Sequence, residues 1–314
     1  MKTLRIPRTD LQVSHIAYGC MQLSKAWDDA PITASEISST IKLVETALEQ
    51  GITLFDHADI YARGKSELLF GEALRQMPGL RDRIVLQSKC GIRFADTPQV
   101  GMPARYDFSR DYLLDSVEGS LRRLGTERLD LLMLHRPDPL MQPDEVASAF
   151  DALHRSGKVR YFGVSNHTAS QISLLQKFVN QPLVVNQIEV SLLHHYPISE
   201  TILGNQQGGT YTGATGTLDY CREHEVLVQA WSPLAGGKLS GLAAELVAEL
   251  ARAKGTSPEA VLLAWLLKHP APIQPIVGTT NPERLVASCA GDGVELSRGE
   301  WYGLLAAVRG AGVP

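Results

Sequence analysis

Short apolar segments alternate with amphipathic segments along almost the whole chain, and this alternation limits the possible folds more than any other feature. The apolar segments have the length of buried strands, whereas the segments between them carry apolar residues at the spacing of a helix face. Eight strands, each followed by a helix, are the elements of a (β/α)8 TIM barrel. The eight candidate strands end near Gly19, Phe55, Leu86, Leu134, Val164, Ile188, Ala230 and Val277.

We expect the 314 residues to form one domain, since barrels of this type commonly exceed about 250 residues without dividing. No Gly-rich or Pro-rich linker divides residues 1–314 into two halves, and the G-x-G-x-x-G fingerprint of a doubly wound dinucleotide-binding fold is absent from the sequence. Two apolar segments near the start, residues 4–6 and 11–13, predict a β-hairpin. The predicted architecture is a TIM barrel with an N-terminal hairpin.

Helical spacing of apolar residues is clearest at residues 37–48, 112–124, 146–153, 172–178 and 246–253.

Three connections are longer than a barrel requires, namely residues 92–109, residues 191–216 and the tail after Ser297. Long loops on the C-terminal rim of a barrel build substrate pockets or lids, so we expect these segments to shape the site. Residues 205–216 (NQQGGTYTGATG) are rich in small, flexible residue types. They form either a mobile flap over the site or a solvated insertion without a role, and the sequence leaves both open.

Composition narrows the functional classes. A hydrophobic fraction of 44% with 20% charged residues is typical of a globular protein with a large core. A net charge of −4 without a run of Lys or Arg argues against a nucleic-acid partner. We see no apolar run long enough for a signal peptide or a membrane span, so we expect a cytoplasmic protein with no membrane partner. Scattered cysteines without a C-x-x-C pair predict reduced thiols, with neither a zinc site nor a disulfide; they are Cys20, Cys90, Cys221 and Cys289.

Four polar side chains follow three of the candidate strands. Because the carboxyl ends of parallel strands meet at one rim of a barrel, where active sites of this fold lie, we expect these side chains to be close together. Taken singly, each has an ordinary explanation, since a buried Asp beside a Lys is most often a structural ion pair. Their joint position is the stronger signal. The four are Asp56, Tyr61, Lys89 and His135.

The four groups can together move a proton to or from a carbonyl oxygen. Tyr61 is a weak acid with an ordinary pKa of about 10, and a neighbouring Lys89 cation would favour its phenolate. Asp56 would keep Lys89 charged. A neutral His135 could donate a hydrogen bond from one ring nitrogen and polarise a substrate carbonyl.

These residues resemble the aldo-keto reductases, whose pattern D-x-A-x-x-Y, then S-K, then a histidine at a strand end, is matched by Asp56-Ala58-Tyr61, Ser88-Lys89 and His135. The resemblance implies a nicotinamide cofactor and hydride transfer to an aldehyde or ketone, with Tyr61 as general acid and base assisted by the other three side chains. The longer sequence segments FDHADIY, LLMLHRPDPL and SGKVRYFGVSN are most similar to those of a bacterial branch of oxidoreductases whose substrates are poorly defined.

The same resemblance implies the cofactor contacts. Ser165, Asn166 and Gln187 occupy the strand-end positions that hold the nicotinamide carboxamide in the family. Trp231 stands where an aromatic ring stacks on the nicotinamide, and the backbone at Ser232 and Leu234 follows the pyrophosphate.

Residues 275–285 (PIVGTTNPERL) resemble the family's clamp on the adenosine phosphate of NADP. Gly278 stands where many members carry Lys, while Thr279 and Arg284 remain as phosphate partners. The resemblance therefore implies NADP, with NADPH preferred over NADH.

Two other functions stay open at this point. The chain could be a nicotinamide-binding redox-sensing or regulatory module with little turnover, or a metal-free lyase or aldolase with Lys89 as a Schiff-base nucleophile. The substrate and the oligomeric state are not determined by the sequence.

Further side chains have more than one interpretation. Four of them could be metal ligands, namely His57, Asp59, His194 and His195. They are not spaced with carboxylates as in known metal sites, so we expect them to be solvated or to support the site residues, and we expect no metal. Four others could form substrate-pocket walls or simply pack in the core; they are Met21, Trp27, Phe94 and Tyr106.

Overall fold

The computed structural model describes residues 1–203 and 216–314. Eight parallel strands close into a barrel, and four further strands form two small antiparallel sheets. The strands in chain order are β1 (Thr3–Arg5), β2 (Gln12–Ser14), β3 (Ala17–Gly19), β4 (Leu54–Asp56), β5 (Val85–Cys90), β6 (Ile92–Arg93), β7 (Arg105–Tyr106), β8 (Leu129–Leu134), β9 (Val159–Ser165), β10 (Leu183–Glu189), β11 (Leu227–Trp231) and β12 (Ile273–Val277).

Around the barrel the strand order is β3, β4, β5, β8, β9, β10, β11, β12 and back to β3. Adjacent strands are parallel, as in the pairing of Gly19 with Asp56 and of Lys89 with Met133. Strands of a parallel barrel are covered on both faces, which explains why β8 (LDLLML) is buried along its whole length.

Helices pack around the outside of the barrel, and a large hydrophobic core lies between them and the sheet. The helices are α1 (Ala34–Glu49), α2 (Lys65–Gln76), α3 (Leu80–Arg83), α4 (Arg110–Leu124), α5 (Pro143–Arg155), α6 (Ala169–Gln176), α7 (Tyr196–Leu203), α8 (Thr217–Glu223), α9 (Gly241–Ala253), α10 (Pro258–Leu267), α11 (Pro282–Cys289) and α12 (Arg298–Arg309). No helix of the described ranges is both long and apolar enough to cross a membrane.

Local sequence signals explain where several helices begin. Thr33 caps α1 and Ser297 caps α12, each through a capping box with a Glu three residues later, which satisfies amide groups that the first turn leaves unpaired. Proline occupies the first position of α5, α10 and α11, where its fixed φ suits the helix and its missing N–H is not needed.

The N-terminal hairpin closes one mouth of the barrel. Strands β1 and β2 pair antiparallel, and Ile6, Leu11 and Val13 pack against the barrel-interior residues Leu54 and Leu131. Since this plug fills the mouth at which the strands begin, the opposite, C-terminal mouth is the end available for chemistry.

The structure confirms the predicted barrel, with eight barrel strands and the N-terminal hairpin at the expected places. Three local predictions differ from the structure. The strand predicted to end near Leu86 continues to Cys90, so Lys89 lies within β5 rather than after it. The tail after Ser297 is a helix, α12, and not an irregular loop.

The third change concerns the other long connections. Residues 92–109 contain the small antiparallel pair β6 and β7, and the segment after Ser191 contains α7. Residues 205–216, for which the sequence leaves a flap and a solvated insertion both open, lie outside the described residues except for Gly216, which precedes α8.

Gly71 lies where α2 packs closely against α4. A Cβ at Gly71 would lie 2.3 Å from the Arg123 carbonyl oxygen, a clash with the backbone. We therefore expect Gly71→Ala to lower the free energy of unfolding by roughly 1–3 kcal/mol, the usual cost of overpacking. Chemical denaturation of the purified variant measures this change.

Gly303→Ala is the matched control, because Gly303 is also inside a helix and the nearest described atom to its added Cβ would be Leu246 Cδ2, at 3.8 Å. Ala is the better helix former by about 0.5–1 kcal/mol, so this variant should be as stable as wild type or more stable. Equal effects of the two substitutions would contradict the packing of α2 on α4 described above.

Candidate active site

Lys89 is the centre of the site. It is 1% exposed, and its Nζ lies 2.7 and 2.8 Å from the two carboxylate oxygens of Asp56 and 2.9 Å from the Tyr61 hydroxyl. Nζ also donates to the His57 carbonyl oxygen at 2.8 Å. Burial by itself would lower the pKa of Lys89, but the Asp56 carboxylate and the hydrogen bonds to Asp56 and Tyr61 outweigh burial, and the net pKa is raised. The ammonium therefore stays charged and bridges a carboxylate to a phenol.

Tyr61 is held as a protonated phenol. Burial raises the pKa of Tyr61, and the Lys89 cation lowers it by less than burial raises it. The predicted effect of Lys89 on the phenol is therefore right in sign, but it does not make the resting group a phenolate. A protonated phenol beside a fixed cation is a proton donor whose conjugate base is stabilised when it forms.

His135 faces Tyr61 at the end of β8. The two rings meet edge to face with 5.8 Å between their centroids, and His135 is 9% exposed. Burial, with smaller contributions from Lys89 and Arg136, holds the pKa of His135 well below its ordinary value. The imidazole is therefore neutral at neutral pH, and a neutral imidazole has one N–H to donate to a substrate oxygen.

The backbone that carries Tyr61 is strained. The residues between β4 and α2 end in a short turn at Tyr61–Gly64, in which Ala62 has φ +48° and Arg63 has φ +56°. Each left-handed non-glycine residue costs on the order of 1–3 kcal/mol, so the surrounding contacts must impose this conformation.

Glu67 supplies such a contact. Its carboxylate is fully buried, accepts a hydrogen bond from Ser88 Oγ at 2.7 Å and pairs with Arg123 at 2.8 Å. These bonds tie the first turn of α2 to β5 and to α4. Because Tyr61 lies just before α2, they anchor the helix that follows the strained turn.

Four residues predicted to hold the nicotinamide are joined by hydrogen bonds. Trp231 Nε1 donates to Asn166 Oδ1 at 3.0 Å, and Asn166 Nδ2 donates to Ser165 Oγ at 2.8 Å. Ser165 Oγ in turn donates to the Gln187 carbonyl oxygen at 2.9 Å, and Gln187 Nε2 reaches Asp56 Oδ1 at 3.1 Å. The structure thus connects these residues to the Asp56 and Lys89 pair, and their contact with a nicotinamide stays a prediction.

The segment after β11 turns sharply. Ser232 is exposed and left-handed (φ +50°), and Leu234 packs on the core just before the turn Ala235–Gly237, whose three residues are all left-handed. The amide N–H groups of Ala235 and Gly237 donate within this segment, to the carbonyl oxygens of Ser232 and Leu234 at 2.9 and 3.0 Å. The pyrophosphate contact at Ser232 and Leu234 stays a prediction.

The predicted adenosine-phosphate residues follow β12 on the same rim. Gly278 is exposed, and among the described residues a Cβ built there would meet only the Gly19 carbonyl oxygen, at 3.6 Å, which leaves room for a ligand beside the backbone. Thr279 is partly buried, and Arg284 is exposed in the first turn of α11, its amide bonded to the cap residue Asn281. An arginine beside the free amide groups at the start of a helix can bind a phosphate.

Sequence reasoning missed three polar residues beneath the Asp56 and Lys89 pair. Gln87, Gln229 and Gln274 are fully buried inside the barrel, and Gln87 Nε2 donates to Asp56 Oδ1 at 2.6 Å. The signal that could have found them is one glutamine beside the apolar residues of each of three strands, in VLQSKC, LVQAW and IQPIV. Such a residue requires polar partners inside the barrel.

The candidate metal ligands do not converge. His57 is fully buried rather than solvated, and the described part of the chain has no group of three or more His, Cys, Asp or Glu placed to hold a metal ion. His195 Nδ1 lies 2.7 Å from Ser199 Oγ, whereas His194 Nδ1 lies 3.8 Å from Glu189.

The candidate pocket walls have surface available. Trp27 is 48% exposed, Tyr106 41% and Met21 40%, which argues against simple core packing. Phe94 is partly buried and lies under the guanidinium of Arg63, with 4.9 Å from Cζ to the ring centroid.

Comparison with known proteins supplies a family context for this geometry. The family model described as the aldo/keto reductase family matches residues 15–301. The 6-dehydroglucose reductase of Agrobacterium fabrum is 40% identical over 306 residues, which cover 96% of each chain. The uncharacterized oxidoreductase YcsN of Bacillus subtilis is 39% identical over 318 residues, which cover 97% of each chain. The predicted likeness to bacterial oxidoreductases is confirmed.

Among solved structures, the chain is similar to an aldo-keto reductase from Klebsiella pneumoniae in complex with NADPH. The TM-score is 0.75 at 25% identity, and the match covers 96% of this chain and 93% of that one.

His57 makes the fold sensitive to acid. It is fully buried against Phe70, both ring nitrogens lack a partner among the described residues, and burial lowers its pKa to about 3. The folded state therefore binds a proton less readily than the unfolded state. The stability that this difference contributes is present above pH 6.5, the ordinary pKa of the group, and is lost as the pH falls toward 3.

We expect the free energy of unfolding to fall by roughly 3 kcal/mol more in wild type than in His57→Leu between pH 7 and pH 4. Urea denaturation at the two pH values measures the difference. His224→Leu, at an exposed histidine, is the control and should track wild type. Parallel pH dependence of wild type and His57→Leu would contradict the burial of a neutral His57.

Proposed function

This chain belongs to the aldo/keto reductase family, and from that premise we propose that it reduces an aldehyde or ketone to an alcohol with hydride from NADPH. The observation that carries the proposal is the buried Lys89 ammonium, which contacts the Asp56 carboxylate and the Tyr61 hydroxyl within 2.9 Å. This arrangement supplies a proton donor with a stabilised conjugate base, which carbonyl reduction requires.

The bound nicotinamide would supply the hydride that adds to the carbonyl carbon. The chain's own residues handle the oxygen. As the C=O bond becomes a C–O single bond, the Tyr61 hydroxyl gives its proton to the oxygen, and Lys89 stabilises the phenolate that remains. A proton from solvent then restores the phenol.

His135 orients the substrate in this proposal. Its neutral ring lies beside the Tyr61 ring, so one N–H can point at the same carbonyl oxygen that Tyr61 protonates. A neutral donor polarises the carbonyl without competing with Tyr61 for the proton transfer.

Ser165, Asn166, Gln187 and Trp231 would hold the nicotinamide in this proposal. Hydrogen bonds among Ser165, Asn166 and Trp231 hold three of these side chains, and Asp56 accepts from the Gln187 amide, so the side chains are ordered before a ligand arrives and binding costs less entropy. Ser232 and Leu234 would follow the pyrophosphate, and Gly278, Thr279 and Arg284 would contact the adenosine phosphate. The similar reductase from Klebsiella pneumoniae is in complex with NADPH, which supports NADP as the cofactor.

The same geometry argues against a Schiff-base lyase. A lysine nucleophile must be neutral to attack a carbonyl, yet Lys89 has a raised pKa and its Nζ is fully engaged with protein oxygen atoms. A regulatory module with little turnover is distinguished by experiment, since it would oxidise bound NADPH once without repeated turnover.

We propose sugar-derived aldehydes as the first substrates to test. Two of the similar proteins, from Agrobacterium fabrum and Novosphingobium aromaticivorans, are named 6-dehydroglucose reductase. A panel of sugar aldehydes and simple carbonyls, followed by nicotinamide absorbance with NADPH and NADH, tests the function and the cofactor together.

Tyr61→Phe tests the proton donor. Removal of the hydroxyl should leave NADPH binding nearly intact and lower carbonyl reduction by a factor on the order of 10² to 10⁴, the usual contribution of a positioned general acid. Steady-state kinetics and a cofactor titration measure the two effects. Tyr302→Phe removes a hydroxyl from a partly buried ring of the outer helix α12 and should behave as wild type. Turnover of Tyr61→Phe within a few-fold of wild type would remove Tyr61 from the mechanism.

Arg284→Ala tests the preference for NADPH. If the exposed guanidinium contacts the 2′-phosphate, its loss should weaken NADPH binding about tenfold to hundredfold and change NADH binding little. Rising salt should also erode the NADPH preference, because the contact is ionic and exposed. Dissociation constants for both cofactors at low and high salt measure these effects.

Arg298→Ala is the matched control, an exposed arginine in the first turn of another helix. It should bind both cofactors as wild type does. An equal change for NADPH and NADH in Arg284→Ala would make Arg284 a structural residue of the helix start.

A further inference from the structure

Four glutamines from four strands meet inside the barrel beneath the Asp56 carboxylate. They are fully or almost fully buried, at 2% exposure or less. Barrel interiors are ordinarily filled by apolar side chains, so a layer of four amides requires a reason. The four are Gln87 on β5, Gln187 on β10, Gln229 on β11 and Gln274 on β12.

The hydrogen bonds of this amide layer run between two groups that can only accept. Gln274 Nε2 donates to the Ser14 carbonyl oxygen at 2.6 Å, and its Oε1 accepts from Gln229 Nε2 at 2.9 Å. Gln229 Nε2 also donates to Gln87 Oε1 at 3.1 Å, and Gln87 Nε2 returns a bond to Gln229 Oε1 at 2.9 Å. The Ser14 carbonyl and the Asp56 carboxylate can only accept, so each end of the layer requires an amide N–H₂.

Asp56 receives the upper end of the layer. Gln87 Nε2 donates to Asp56 Oδ1 at 2.6 Å and Gln187 Nε2 donates to the same atom at 3.1 Å. Lys89 contacts both Asp56 oxygens on the other side. Of the two amide bonds to Asp56, the one from Gln87 is the shorter. This bond orients the plane of the carboxylate, whose two oxygens face Lys89.

We propose that Gln87 is a positioning residue for proton transfer by Tyr61, acting through Asp56 and Lys89. Gln87 holds the carboxylate, the carboxylate holds the ammonium, and the ammonium holds the phenol oxygen. This inference rests on the proposed function, since it concerns the same reaction. A shift of about 1 Å in a reacting group can cost on the order of a hundredfold in rate.

The test is Gln87→Met, which keeps the length of the side chain and removes the amide. We expect kcat for carbonyl reduction to fall about tenfold to hundredfold, with NADPH binding and the substrate KM changed by less than about threefold. Gln274→Met is the matched control, because Gln274 has the same burial and belongs to the same layer but does not touch Asp56. It should lose a similar amount of thermal stability and keep its kcat.

A double-mutant cycle shows whether Gln87 acts through Asp56. Asp56→Asn should lower kcat by itself, and adding Gln87→Met to it should then lower kcat by less than about twofold. A full additional loss in the double variant would overturn the proposal, as would an unchanged kcat in Gln87→Met or an equal kcat loss in Gln274→Met.

Gln87→Asn covers the case in which Gln87→Met does not fold. It keeps the amide but withdraws it by one methylene from Asp56, and it should show the same selective loss of kcat; wild-type kcat in Gln87→Asn would overturn the proposal. Wild-type turnover with NADPH tests the proposed function separately. If the wild type is active but the Gln87 variants show no selective loss of kcat, only this inference is rejected. If the wild type reduces no carbonyl of the panel, both this inference and the proposed function are rejected.

Discussion

The buried ion pair of Lys89 and Asp56 is the constraint on which the rest of the site depends. Two charges removed from water cost several kcal/mol each unless close contacts and further hydrogen bonds compensate them. Here both carboxylate oxygens lie within 2.8 Å of Nζ, and the remaining donors and acceptors come from Tyr61, the His57 backbone and two glutamine amides. The catalytic candidates are therefore also the partners that make the buried charges tolerable.

Burial and charge act in opposite directions on the same groups, and their balance sets the chemistry. Lys89 keeps its proton because Asp56 outweighs burial, while Tyr61 keeps its proton because burial outweighs Lys89. His135 stays neutral because burial and, less strongly, the cations Lys89 and Arg136 all lower its pKa. The site thus contains one fixed cation, one protonated phenol and one neutral imidazole, and this is the set of protonation states that donation to a carbonyl oxygen requires.

The scaffold positions this set from two sides. Below it, the glutamine layer carries hydrogen bonds from the Ser14 backbone up to Asp56. Beside it, the buried Glu67 joins Ser88 and Arg123, and so holds the strained turn that follows Tyr61. The first group contacts Asp56, and the second anchors the helix that follows Tyr61. Strain at a functional turn is tolerated where surrounding contacts determine it, and Glu67 supplies such contacts.

The sequence by itself determined the eight-strand barrel, the hairpin and the rim positions of Asp56 and His135, because hydrophobic periodicity and strand ends are local properties of the chain. It did not determine that Lys89 lies within β5, that His57 is buried, or that Gln187 points its amide at Asp56. Gln87 and Gln229 are 142 positions apart and meet only because the barrel closes. Only the tertiary structure could decide which polar side chains share the interior and whether burial or charge sets each pKa, since both depend on the register of strands far apart in the chain.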